Sequence, residues 1–205
     1  MEVLDGAHLE GTTVYIGWPT TQTRRHGEVV LRSGAALWAG NGGNGGFLEV
    51  GGTSTGKLTV AEGADFRATK FTVSSAGVLG FEFGADSVST MVGTASLTGS
   101  VNQVDGLLRL DLGALETAGT YVLIDSQGSQ LSGALRTWLD AGGGSRSGTG
   151  DVSTANFEIA DGGDIQWELA TDGQNLTIDV IPEPVTLSLI GLGCMGLFAV
   201  RRLRV

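Results

Sequence analysis

The chain has 205 residues, of which 35 are glycine; 41% are hydrophobic, 17% are charged, and the formal net charge is −10. The hydrophobic content excludes a disordered chain, which combines low hydrophobicity with high net charge. The acidic balance argues against binding to nucleic acid. Glycine supplies the positive-φ positions that turns require, so the composition favours an all-β fold with many turns.

Residues 1–93 predict short strands separated by glycine-rich turns. Residues 27–37 align without a gap on residues 56–66, and weaker copies begin at Gly46 and Lys70. The apolar positions taken as equivalent are Val29, Leu48, Leu58 and Phe71. One strand cannot cover its own apolar row, whereas stacked repeats can. We therefore predict a glycine-rich β-solenoid over residues 1–93, with a β-sandwich as the alternative, because alternation alone does not distinguish the two.

Residues 94–180 predict further strands that no longer repeat. Residues 108–112 alternate, with Arg109 and Asp111 expected on the solvent face. The continuous apolar run 121–124 predicts a strand covered on both faces. Residues 135–141 are compatible with a helical turn or a strand, and both interpretations stay open.

A hairpin is predicted at the end of this region. Residues 165–169 and 176–180 alternate in polarity and flank an Asp172-Gly173 turn. An Asp-Gly pair between two such runs is a strong hairpin signal. The hairpin leads almost directly into Pro182.

Residues 181–205 differ from the rest of the chain. Pro182, Glu183 and Pro184 precede the uncharged residues 185–200. Arg201, Arg202 and Arg204 follow that stretch and are the candidate residues that stop it at the membrane surface. A helix over residues 185–200 would span about 24 Å at ~1.5 Å per residue. Bilayer thinning and snorkelling arginines can make up the difference from a hydrocarbon core of about 30 Å. We predict a transmembrane helix over 185–200, with the arginines in the cytoplasm and the preceding residues outside the membrane.

The order of these three parts resembles the PEP-CTERM sorting signal of exported bacterial proteins. The resemblance implies an exosortase and the lipid bilayer as partners, with cleavage near Pro182, Glu183 and Pro184 and transfer to the cell surface. Residues 119–124 and 131–133 more loosely resemble the passenger-like β regions found ahead of such tails, a likeness that implies no activity.

An exported protein needs a signal peptide, and residues 1–17 lack its basic and apolar regions. We therefore expect that the sequence is truncated, with a misplaced start codon as the alternative. Cys194 is the single cysteine and lies in the apolar segment, so no disulfide is expected in the ectodomain.

Two glycine motifs are interpreted as turns. Residues 40–45 match G-x-G-x-x-G, but the strand-like residues 47–50 follow, where a dinucleotide site needs a helix. Residues 52–56 match G-x-S-x-G, but His8 and His26 both precede Ser54, and a strand follows it.

Acidic residues give the strongest enzymatic alternative, because retaining glycosidases use two carboxyls about 5–5.5 Å apart. Neighbouring strands, about 4.8 Å apart, can provide this spacing. The candidates are Glu49, Glu62, Asp65, Glu82 and Asp86. No histidine, tyrosine or tryptophan is expected beside them, so a solvated face is the preferred interpretation. The tryptophans are scattered singly, and core or edge packing is expected for Trp18, Trp38, Trp138 and Trp167.

These observations predict a non-enzymatic exported protein that serves as a structural or matrix component of the envelope or extracellular polysaccharide. No catalytic residue, metal ligand or cofactor is predicted, and Asp161 to Asp164 is interpreted as a turn rather than a calcium site. Two alternatives remain. One is a carbohydrate-binding or adhesive module that uses exposed tryptophans, and the other is a β-helix polysaccharide lyase or glycosidase.

Overall fold

The computed structural model describes residues 1–17, 26–40, 47–93 and 101–181, and within them strands are the main regular secondary structure. The predicted all-β class is confirmed, with one short helix in addition. In chain order the elements are β1 (Glu2–Val3), β2 (His8–Gly11), β3 (Val14–Ile16), β4 (Gly27–Leu31), β5 (Ala36–Ala39), β6 (Leu48–Val50), β7 (Gly56–Ala61), β8 (Asp65–Ala68), β9 (Phe71–Val73), β10 (Gly77–Glu82), β11 (Met91–Gly93), β12 (Val101–Val104), β13 (Leu107–Asp111), β14 (Gly119–Asp125), β15 (Gln130–Ser132), α1 (Ala134–Asp140), β16 (Ser145–Thr149), β17 (Val152–Ser153), β18 (Phe157–Ala160), β19 (Gln166–Thr171) and β20 (Leu176–Ile181).

The first fifteen strands visit three sheets in strict rotation. Sheet A has the order β1-β4-β7-β10-β13-β18-β17, sheet B the order β16-β19-β20-β14-β11-β8-β5-β2, and sheet C the order β15-β12-β9-β6-β3. Each strand from β4 to β15 thus joins the strand three places earlier, and every pair among β1–β15 is parallel. We call each set of three consecutive strands a rung, and the five rungs together the coil.

Residues that align in the gapless internal repeat lie opposite one another in sheets A and B. Gly27 lies opposite Gly56, Leu31 opposite Val60, and Leu37 opposite Phe66, as the gapless alignment of residues 27–37 and 56–66 requires. The expected equivalence of four apolar positions is wrong in part, since those positions fall on two sheets. Val29 pairs with Leu58 in sheet A, and Leu48 pairs with Phe71 in sheet C. Both sheets alternate in the same way, so the sequence pattern alone mixes them.

The parallel order continues beyond residue 93, where the sequence pattern stops repeating. The pairs β10–β13, β9–β12 and β12–β15 extend the parallel order as far as Ser132. Antiparallel pairs involve the strands from β16 onward. In β13, Leu108 and Leu110 are buried while Arg109 and Asp111 face outward, as predicted. The prediction that β14 is covered on both faces is wrong at Val122, which is exposed because a bulge separates it from Ile124.

The interior of the coil is mainly apolar, and Asn102 and Ser126 are polar residues fully buried within it. The largest fully buried side chains are Phe66, Phe71, Phe81, Phe157, Leu31, Leu37, Leu48, Leu58, Leu79, Met91, Leu108 and Leu110. Asn102 is fully buried among them; its Oδ1 accepts from the Phe71 amide at 3.3 Å, and its Nδ2 donates to Ser126 Oγ at 3.0 Å. The Asn102 side chain therefore joins three segments without leaving its own polar atoms unpaired.

Stacked glycines form the corner at which the chain enters sheet A. Gly27, Gly56 and Gly77 lie opposite one another in successive strands. A Cβ on Gly56 would come within 2.1 Å of the Ile16 carbonyl oxygen, and one on Gly77 within 2.3 Å of the Val50 oxygen. Only glycine allows backbone segments to approach this closely.

The chain closes the far end of the coil with mainly antiparallel structure, which we call the cap (α1 and β16–β20); within it, β18 pairs in parallel with β13. Residues 135–141, left open between helix and strand, belong mainly to α1, whose Leu135 and Leu139 are buried. The predicted hairpin is confirmed, because β19 and β20 are antiparallel and flank Asp172 and Gly173. The outer strand β16 then pairs with β19, and β20 joins β14.

Candidate functional site

The predicted sorting motif and membrane segment fall outside the described residues. Pro182, Glu183, Pro184, Arg201, Arg202 and Arg204 follow Ile181, the last residue of β20. Within residues 1–17, 26–40, 47–93 and 101–181, no helix is long and apolar enough to cross a membrane. The transmembrane helix over 185–200 stays a prediction.

The five candidate carboxylates are distributed over different faces. Glu49 lies on sheet C and Asp65 on sheet B, whereas Glu82 ends β10 in sheet A. Glu62 and Asp86 lie outside the strands, and both approach the Ser87 hydroxyl, which stands 2.9 Å from Glu62 Oε1 and 3.3 Å from Asp86 Oδ1. Burial raises the pKa of Glu49, which makes its ionised form less favourable.

Trp38 forms an outward-facing cluster with three polar side chains of sheet B. Its indole Nε1 donates to Asp65 Oδ2 at 3.2 Å, and Arg67 Nε donates to Asp65 Oδ1 at 2.9 Å. The Arg67 guanidinium carbon lies 5.2 Å from the Trp38 ring centroid, within cation–π range. The His8 ring meets the indole edge-on, with 4.5 Å between centroids. We call Trp38, Asp65, Arg67 and His8 the Trp38 cluster.

The cluster corrects the expectation that no aromatic or histidine side chain accompanies the acids. Asp65 accepts from Trp38, and His8 packs against the Trp38 indole, because β2, β5 and β8 are successive strands of sheet B. These residues come from three successive rungs and are separated in sequence by the length of a rung. The gapless repeat contained a signal for this cluster, since extending the alignment of residues 27–37 with 56–66 by one residue places Trp38 opposite Arg67.

The other two described tryptophans are structural, as predicted. Trp167 is buried and donates from Nε1 to the Gly150 carbonyl at 3.0 Å. Phe157 lies between the indoles, with ring centroids 5.3 Å from Trp167 and 5.7 Å from Trp138. Arg146 covers Trp138 and donates to its carbonyl oxygen. Trp18 lies outside the described residues.

A pair of outward carboxylates was missed by sequence reasoning. Glu82 of β10 lies directly opposite Asp111 of β13 in sheet A. Arg32 approaches Glu82 from the other side, with 3.4 Å between Nη1 and Oε2, and Arg32 Nε contacts Glu2 Oε1 at 2.5 Å. Asp111 was predicted to face solvent but was not considered as a partner of Glu82, because the register of β10 and β13 is not readable from the weaker repeats.

Ser54 lies in a turn, as predicted, and is not arranged as a nucleophile. Its hydroxyl is buried and has no hydrogen-bond partner in the described part of the chain. His26 Nδ1 instead pairs with Thr55 Oγ1, and His8 belongs to the Trp38 cluster. A nucleophilic serine needs a base within hydrogen-bond reach, and Ser54 has none.

Metal ligands do not converge in the part of the chain that is described. There, no three or more histidine, cysteine, aspartate or glutamate side chains are grouped so as to hold a metal ion. Asp161 has a positive φ of 54°, which is typical of a turn residue. Comparisons with protein-family models, with curated protein sequences and with solved structures found no match for this chain.

Proposed function

We propose that this chain is a non-enzymatic exported surface protein whose coil is a β-solenoid and whose residues 181–205 are a PEP-CTERM sorting signal. The order of the tail carries the proposal: Pro182-Glu183-Pro184, an apolar segment, then three arginines. In this proposal the protein serves as a structural component of the envelope or extracellular polysaccharide, and an exosortase and the bilayer are its partners.

The position of the last strand supports processing at this point. β20 ends at Ile181, immediately before Pro182, and Ile181 is half exposed. Proline has no amide hydrogen and cannot continue a strand ladder. A protease acting near Pro182 would therefore cut after β20 and leave the three described sheets intact.

Sorting is tested with the full chain behind a cleavable signal peptide, produced in a host with and without its exosortase. Mass spectrometry of the surface fraction should find a product that lacks Arg201, Arg202 and Arg204 only where the exosortase is present. The matched control replaces Pro182, Glu183 and Pro184 with alanine and should stay uncut in both hosts. An intact tail on the native sequence in both hosts would contradict the proposal.

A second candidate function, saccharide binding, is favoured by the Trp38 cluster. An outward indole with carboxylate and guanidinium groups beside it offers both an apolar ring and hydrogen-bonding groups to a sugar. The Arg67 guanidinium already lies over the ring, so a sugar that stacks there must displace it. Trp38→Ala should weaken binding to matrix polysaccharide tenfold or more, while Trp138→Phe, a substitution in the cap, leaves it unchanged. Equal binding by all three proteins would exclude this site.

A further inference from the structure

A shallow pit of about 110 Å³ lies on the outer face of sheet A, centred on Gly80. Gly80 is in the middle of β10, opposite Thr59 of β7 on one side and Arg109 of β13 on the other. Because glycine has no side chain, the centre of this face is empty while its neighbours carry polar groups. The volume is enough for several water-sized groups.

A buried hydroxyl without a partner faces this pit. Thr59 is only 6% exposed although it stands on the outer face, and its Oγ1 has no hydrogen-bond partner among the described residues. A Cβ built on Gly80 would lie 3.4 Å from that oxygen, so the hydroxyl borders the space above the glycine. Burying a polar group without a hydrogen bond is unfavourable, and a ligand oxygen above Gly80 would relieve it.

Charged groups of both signs surround the pit in equal number. Lys57 and Arg109 supply two cations, and Glu82 and Asp111 supply two carboxylates. A ligand with a net charge would be attracted by one pair and repelled by the other. A neutral group with hydroxyls can instead donate to the carboxylates and accept from the cations, and such hydrogen bonds to charged groups are strong.

Three of these charged groups have ion-pair partners outside the lining of the pit. The nitrogen–oxygen distances are 2.9 Å for Lys57–Glu28, 3.4 Å for Arg109–Glu158 and 3.4 Å for Arg32–Glu82. Exposed ion pairs are weak, so a ligand that approaches Thr59 can displace the ends of Lys57 and Arg109.

Two aliphatic side chains lie on the same outer face, beyond the residues that line the pit. Val78 lies two residues before Gly80 on the same strand and faces outward beside Leu107 of β13, and both are partly buried. This face thus has hydrogen-bonding groups around Gly80 and aliphatic groups next to them. A sugar ring has the matching character, with C–H groups and hydroxyls on one small frame.

We propose that the Gly80 pit binds one residue of a neutral saccharide chain. The sugar hydroxyls bond Thr59, Arg109 and the Glu82–Asp111 pair, and the ring C–H groups contact Val78 and Leu107. The proposal is independent of the sorting signal and of the Trp38 cluster, which lies on sheet B. The net charge of −10 further disfavours an anionic polysaccharide.

Two substitutions test the pit without endangering the fold. Gly80→Ala places a methyl group at the centre of the pit in ordinary contact with Thr59, and Gly80 has no positive φ. Thr59→Val removes only the unpartnered hydroxyl, and Thr59→Ser retains it. Gly119→Ala, a strand glycine on sheet B with no atom closer than 3.9 Å to the new Cβ, is the matched control. Thermal melting checks that all four variants remain folded.

The full-length chain in detergent solution is titrated by calorimetry with cellohexaose, maltohexaose, laminarihexaose and the anionic hexagalacturonate. At least one neutral hexasaccharide should bind, with affinity reduced tenfold or more by Gly80→Ala and severalfold by Thr59→Val. Thr59→Ser and Gly119→Ala should bind as the native chain does, and saturating sugar should shift the Gly80 amide signal in a heteronuclear NMR spectrum.

Four outcomes would overturn the proposal: no neutral hexasaccharide binds, hexagalacturonate binds more tightly than the neutral sugars, Gly80→Ala binds normally, or the sugar shifts the Trp38 indole signal and leaves Gly80 unmoved. The last outcome would support the Trp38 cluster as a saccharide site and exclude the pit.

Discussion

The coil and the cap form one continuous core, but the coil pairs its strands in parallel whereas most pairs of the cap are antiparallel. In the coil every strand joins a strand one full rung away, so each ladder closes a long stretch of chain. In the cap, β19 and β20 pair across a short turn, and β16 joins β19 nearby in sequence. The coil depends on how closely backbones can stack, whereas the cap depends on individual side chains and turns. Substitutions should therefore affect the two regions for different physical reasons.

The largest effect is expected at the glycine corner of the coil. Gly77→Ala would place a methyl group 2.3 Å from the Val50 carbonyl oxygen, and two backbone segments would have to separate. We expect a loss of more than about 4 kcal/mol in the free energy of unfolding, the range reserved for severe core damage. Urea unfolding of the full chain measures it. Gly80→Ala, three residues along the same strand, is the control and should unfold at the same urea concentration as the native chain. Equal unfolding midpoints for the two variants would show that close backbone stacking does not determine the stability of the coil.

A smaller loss is expected from the aromatic centre of the cap. Trp167→Ala removes a buried indole that packs on Phe157 and bonds Gly150, and should cost about 3–5 kcal/mol. Trp167→Phe retains most of the packing and should cost about 1 kcal/mol for the lost hydrogen bond. Amide hydrogen exchange should accelerate in β19 and β20 more than in β4 and β7. Uniform acceleration across both regions would mean that coil and cap unfold as one unit.

The hairpin turn of the cap should respond to pH. Asp172 Oδ1 accepts from the amides of Asn175 and Gln174, at 2.6 and 2.8 Å, and these bonds lower the pKa of Asp172. A lowered pKa means stability that is present above the unfolded value of about 3.9 and is lost as pH falls through the folded value. Because Asp172 is exposed and solvent screens these bonds, Asp172→Ala should cost less than about 1 kcal/mol at pH 7, and the difference from the native chain should shrink below about pH 4. A pH-independent difference would assign the loss to something other than the carboxylate.

The smallest effect, of opposite sign, is expected in the coil at Glu49. Burial raises the pKa of this carboxyl, so its ionisation opposes folding as pH rises through the folded value. Glu49→Gln should increase stability at pH 7 by less than about 0.5 kcal/mol, and the gain should vanish at a pH well below about 4.3. Thermal melting at pH 7 and pH 3 measures both. Destabilisation at pH 7 would show that the ionised carboxylate makes a favourable contact.

Local signals predicted turns and strand faces better than they predicted which sheet a coil strand joins. The Asp172-Gly173 hairpin and the outward side chains of β13 were readable, because turn chemistry and alternation act over a few residues. Sheet membership in the coil was not, since Leu48 and Leu58 have the same local pattern and differ only in which distant strand they join. The bulge that exposes Val122 likewise has no counterpart in the apolar run 121–124.

The same limit applies to the candidate sites. The sequence identified Asp65 and Glu82 as outward acids, but the side chains that bond or face these two carboxylates come from other rungs. The register is needed to see that Trp38 bonds Asp65, that His8 packs against Trp38, and that Asp111 lies opposite Glu82. The Gly80 pit is harder still to read from sequence, because its defining feature is a missing side chain between Thr59 and Arg109.

The corner between sheets B and C has consequences for how such a chain can change over generations. β5 ends at Ala39 and β6 begins at Leu48, whereas one rung later β8 ends at Ala68 and β9 begins at Phe71. Despite this difference in connecting length, β6 and β9 pair in register, with Leu48 opposite Phe71. Insertions and deletions at this corner therefore leave inward and outward positions unchanged. A gene encoding this fold can gain or lose codons there without changing which side chains face the core.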